Sequence, residues 1–138
     1  MKVGILKEIK VLENRVCMVP SGVATMIANG HEVVVETMAG AGAGFPDAEY
    51  LAAGATIAAT PADVFGACDM VMHVKEPQPS EYDLIREGQI VFTYLHLAAD
   101  LPQTEALVKA KSVNIAYETI EKADGSLPLL VPMSEVAG

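Results

Sequence analysis

A chain of 138 residues with 51% hydrophobic and 20% charged residues has the make-up of one compact folded domain, which excludes a disordered chain. A formal net charge of −9, with only nine Lys and Arg, excludes nucleic acid or an anionic membrane as the natural partner, because phosphate binding needs clustered cations. Mean hydropathy is positive at +0.34, yet polar or turn residues interrupt every apolar stretch well short of the ~20 residues that span a bilayer.

Lys2–Leu6 is a short apolar run and reads as a first strand; its apolar core is too brief for a secretory signal. A helix is predicted from near Ser21, with that hydroxyl as its cap, to Gly30, a residue suited to a left-handed ending. His31–Glu36 follows as a strand, and the unbroken Val33, Val34 and Val35 suit a strand covered on both faces. The glycines at 40, 42 and 44 invite comparison with a dinucleotide loop, whose third glycine stands three positions after the second. Here that position is Phe45, so the run reads as a turn needing positive φ.

Asp47 is expected to cap a short helix ending at Gly54, Thr60-Pro61 to open another, and Met70–Val74 to form an apolar strand. A further helix is predicted from Ser80, a strand over Gln89–Tyr94, and a helix capped by Asp100, with Pro102 near its first turn, running to about Lys111. Val113–Glu118 is the last clear strand. Four to six strands alternating with helices imply a doubly wound α/β domain, a mostly parallel sheet with helices on both faces. Met133–Gly138 reads as the first turn of a helix, which is not stable alone, so the chain is expected to continue beyond it.

Cys17 and Cys68 lack the CxxC or Cys/His companions that hold zinc, so no metal site is expected. Two free thiols in a reducing cytoplasm are expected, a single disulfide being the alternative. The methionines read as core filler.

In doubly wound sheets, ligands sit outside the carboxyl ends of the strands, which singles out Lys75 after one strand and His96 after another. Lys75 is either a loop lysine paired with Glu76 or a donor to an anionic or carbonyl ligand, with Pro77 stiffening its loop. His96, in Phe92-Thr93-Tyr94-Leu95-His96-Leu97, is either a satisfied core histidine or an acid and base at a strand end. Arg15 is either a solvated loop residue or a fork for a carboxylate.

Lys7-Glu8 through Glu13-Asn14-Arg15-Val16, Gly40–Phe45, Val74-Lys75-Glu76-Pro77, Phe92–Asp100 and Pro128–Gly138 together resemble the alanine dehydrogenases along essentially the whole chain. The related transhydrogenase subunit shares the fold and the Arg15 region but, in this resemblance, lacks the His96-bearing segment. The resemblance implies a Rossmann-like substrate domain without the dinucleotide loop over residues 1–132, with 133–138 starting the helix that leads to an NAD-binding domain. It implies NAD as cofactor, L-alanine and pyruvate as substrates, and a cytoplasmic homo-oligomer, usually a hexamer. It also implies Arg15 on the substrate carboxylate, Lys75 on carboxylate and carbonyl, His96 as acid and base, and Ser134 and Met133 beside the cofactor. Since the GxGxxG loop is missing, the 138 residues alone are expected to be inactive. The alternatives are a stand-alone small-carboxylate binding module and a transhydrogenase-type domain.

Overall fold

A computed structural model describes residues 1–138. Six strands, β1 Lys2–Ile5, β2 Glu32–Glu36, β3 Thr56–Ala58, β4 Met70–Met72, β5 Ile90–Thr93 and β6 Val113–Ala116, form one sheet in the order β3-β2-β1-β4-β5-β6. Every pairing is parallel, so the expected doubly wound domain is present and its sheet is wholly, not mostly, parallel. The helices are α1 Pro20–Ala28, α2 Asp47–Ala52, α3 Pro61–Ala67, α4 Leu101–Ala110 and α5 Val131–Ala137. Strand order reverses at β1, so the carboxyl ends of β1 and β4 border the crevice where ligands bind in such sheets.

Successive side chains of a strand point to opposite faces, and the three central valines of β2 show the result. Val33 and Val35 join Ile5, Val23 of α1 and Tyr50 of α2 on one face. Val34 joins Leu6, Val64 and Phe65 of α3, and Leu107 of α4 on the other. Each such side chain contributes about 1.5–3 kcal/mol when fully buried, so covering both faces is what holds the sheet. Cys68 sits in the second core and Cys17 packs against the first; both are free thiols with the sheet between them.

Local chemistry differs from expectation at several ends. Ser21 lies inside α1 and caps nothing: Val19 is the N-cap, and Pro20 fills the first position, where its missing N–H costs no bond. Asp47 is already in the first turn of α2, and its carboxylate accepts from the Thr37 hydroxyl (2.7 Å) and the Met38 N–H (2.8 Å), tying the end of β2 to the helix. The segment after Ser80 is a 3-10 helix, Pro79–Leu84. Strand β3 was not expected; at three residues it is too short to show a period, and its pairing with β2 defines it. The caps at Thr60, in a reciprocal pair with Asp63, and at Asp100, accepting from the Gln103 N–H at 3.1 Å, are as predicted. Gly30 ends α1 at φ +85°.

Candidate functional site

The loops after β1, β4 and β5 leave neighbouring parallel strands at one edge of the sheet and carry Arg15, Lys75 and His96. Arg15 lines a cavity of about 530 Å³ whose other walls, among them Val74, Phe92, Tyr94 and Tyr117, are apolar. An apolar cavity with a single cation suits a small ligand with one anionic end. Lys75 directly follows Val74, and His96 stands beyond Tyr94, whose ring stacks on the imidazole at 6.3 Å between centroids. Of the three, only Arg15 lines this cavity; His96 lines a separate hollow with Leu97, Asn114 and Glu118, and no direct contact joins the three side chains.

Arg15 is not free in solvent. Its Nε and Nη2 each donate to the Glu13 carboxylate at 2.7 Å. Those hydrogen bonds hold the Glu13 carboxyl down to about 2, well below the usual carboxylate range. Glu13 fixes the plane of the guanidinium, so a ligand carboxylate meets either its remaining Nη1 edge or the fork after Glu13 moves aside.

Lys75 makes no ion pair; the Glu76 that was its expected partner is paired with Lys10 instead. Its backbone is held firmly. Glu8, just past β1, accepts the Val74 N–H (2.5 Å) and the Lys75 N–H (3.2 Å), and the Lys75 carbonyl accepts from the Thr93 hydroxyl at 2.8 Å. Glu8 also takes His73 Nδ1 at 3.0 Å, while His73 Nε2 meets Glu81 at 2.7 Å. All three side chains are only 3% exposed. Burial disfavours the His73 imidazolium, but hydrogen bonds to the two carboxylates outweigh it and raise its pKa to about 9. A buried histidine between two carboxylates, which favour its charged form, therefore ties down the chain just past β4, two residues before Lys75.

His96 is not a core histidine, for its side chain is 49% exposed. Its backbone is left-handed, φ 50° and ψ 40°. Glu118, just past β6, holds that conformation by accepting the N–H of His96 (2.8 Å) and of Leu95 (3.0 Å). The fully buried Gln103 of α4 donates its side-chain amide to the Leu95 carbonyl at 2.8 Å. His96 Nδ1 lies 3.7 Å from Oε2 of Glu76.

The family model described as alanine dehydrogenase/PNT, N-terminal domain matches residues 4–137. The chain belongs to this family. As an alanine dehydrogenase/PNT N-terminal domain it is 53% identical over 138 residues to an alanine dehydrogenase of Methanococcus maripaludis and 55% identical over 139 residues to one of Lysinibacillus sphaericus. Both alignments cover all of this chain, which spans about 37% of the length of these curated relatives. Among solved structures, an L-alanine dehydrogenase superposes with a TM-score of 0.95 at 50% identity, over 99% of this chain and 38% of that one. A transhydrogenase from Sinorhizobium meliloti superposes with a TM-score of 0.80 at 31% identity, over 86% and 35% of the two chains.

In this alanine dehydrogenase/PNT domain the glycine run does not form a cradle for a dinucleotide phosphate. In the glycine run, the N–H groups of residues 41, 43, 44 and 45 are taken by carbonyls of the same turn, and a Cβ on Gly42 would come within 3.0 Å of Asn14. That glycine admits the loop carrying Arg15 rather than a ligand. Ser134 and Met133 are the fourth and third residues of α5, which begins two positions earlier than expected. The Ser134 N–H already donates to the Leu130 carbonyl at 3.0 Å, and neither residue lines the Arg15 cavity.

Sequence reasoning missed Glu8, His73, Glu81 and Glu118. Glu8 and Glu118 do lie just past strands, the rule that found Lys75, but nothing in the chain joins Glu8 to His73, 65 positions away. Only pairing of β1 with β4 brings those two together.

Proposed function

We propose that this chain is the substrate-binding part of an NAD-dependent L-alanine dehydrogenase, which converts L-alanine, NAD and water to pyruvate, ammonium, NADH and a proton. The observation that carries the reading is Arg15 as the one charged residue in an otherwise apolar cavity, on the loop after β1, with Lys75 and His96 on the loops that follow β4 and β5. The alanine dehydrogenases among its relatives support it. Arg15 binds the substrate carboxylate and so fixes which way the α-carbon faces, a matter of orientation first. Lys75, on a backbone clamped by Glu8 and Thr93, donates to the carbonyl or carbinolamine oxygen and stabilises negative charge developing there. His96 moves the protons required as water adds and ammonia departs. Bound NAD supplies the hydride acceptor; the glycine run does not cradle its phosphates, and Ser134 and Met133 are proposed only for its periphery.

No helix is long and apolar enough to cross a membrane. The family likeness supports a cytoplasmic homo-oligomer, a hexamer, for the full-length protein. The test is alanine-dependent NADH formation by that protein, with Arg15→Lys as the diagnostic variant. A lysine keeps the charge but loses the fork, and KM for pyruvate should rise at least about tenfold while KM for NADH holds. An unchanged pyruvate KM would remove Arg15 from the site.

A further inference from the structure

Glu76 holds an oxygen that the rest of the fold leaves without a partner. Its Oε1 is paired with Lys10, while Oε2 is buried, accepts no hydrogen bond, and lies 3.7 Å from Nδ1 of His96. A buried carboxylate oxygen without a donor is costly, so one that persists calls for a partner or a task. The imidazole Nδ1–H is the donor within reach, and a small turn of the half-exposed ring closes the gap to hydrogen-bond distance.

We propose that Glu76 is the positioning residue for His96: it accepts the Nδ1–H, fixes the ring's orientation and tautomer, and leaves Nε2 as the atom that takes and gives the proton. The inference rests on His96 being the acid and base. A histidine whose second nitrogen is tied to a carboxylate presents one defined nitrogen to the reaction, which a freely rotating ring does not. The other contacts of His96 fit this division of labour. Glu118 fixes the backbone through the His96 N–H, the Tyr94 ring stacks on one face, and the side chain of Glu76 is the group left to orient the ring edge. Lys10, on the loop after β1, is half-exposed and pairs only with the other oxygen, which leaves Oε2 for the histidine.

The test uses the full-length enzyme and a double-mutant cycle between positions 76 and 96. Glu76→Gln should lower kcat at least about tenfold with KM for pyruvate and for NADH within twofold, and Glu76→Asp should recover part of the loss. In a His96→Ala background, Glu76→Gln should change kcat no further, because there is no ring left to orient. Lys10→Ala, which removes the ion pair but not the carboxylate, should keep kcat within about threefold. Melting temperatures identify any variant whose loss comes from unfolding, and a lower enzyme melting point that accounts for the Glu76→Gln loss would overturn the proposal. An additive effect in the His96→Ala background, or a Lys10→Ala loss equal to that of Glu76→Gln, would overturn it too. Wild-type turnover by His96→Ala would instead strike at the proposed function, and with it this role of Glu76.

Discussion

Burial alone would push His73 toward its neutral form; hydrogen bonds to Glu8 and Glu81 reverse that and raise its pKa from 6.5 to about 9. A group whose pKa is raised on folding binds its proton more tightly in the folded state, so it adds stability below pH 6.5 and loses it as pH climbs through 9. The folding stability contributed by this histidine should therefore decline between about pH 6.5 and 9, measured by urea unfolding at a series of pH values. His73→Gln should flatten that slope. It should also destabilise the protein by about 3–5 kcal/mol, because two buried carboxylates are left without their shared cation. A slope that survives the substitution would mean that another group carries the dependence. Arg15 shows the same on the surface: the donors it has free depend on Glu13, two residues away, which takes Nε and Nη2 of its fork. The local sequence displays both residues but not that geometry.

At the scale of elements, what was legible depended on whether the cause was local. The Thr60–Asp63 pair at the start of α3 could be read from the chain because the cap and its partners are three residues apart. Thr60→Ala should accordingly cost about 1 kcal/mol, seen as a lower urea midpoint with an unchanged slope. Gly4 in β1 shows the opposite case. A Cβ there would lie 2.5 Å from Val64 Cγ1 and 3.0 Å from Cys68 Sγ, so β1 and α3 pack closely only because the side chain is missing. Gly4→Ala should destabilise the protein by about 1–3 kcal/mol, although alanine suits a strand no worse than glycine does. An unchanged urea midpoint would show that α3 shifts aside at little cost. Ser21 and Asp47 were read as caps for a related reason: their residue types favour that role, but Pro20 and the Thr37–Met38 turn claim those positions first.

For the whole molecule, the proposed function predicts a division between binding and turnover. The full-length protein should oxidise L-alanine with NAD, whereas the 138 residues alone should give no NADH, since their one glycine-rich loop offers no phosphate cradle. Robust turnover by residues 1–138 would contradict that expectation. The alternation of strand and helix, the two-faced burial of β2, the failed dinucleotide loop and the positions of Lys75 and His96 after strands were all determined by the sequence alone. Each follows from near neighbours: period, caps and glycine spacing act over a few residues. Tertiary structure alone decided the strand order, and with it the switch point that puts the β1 and β4 ends side by side. It also decided that Glu8 meets His73 and that Glu76 turns from Lys75 toward Lys10 and His96, because such contacts join residues far apart in the chain, and no local pattern encodes which strands become neighbours.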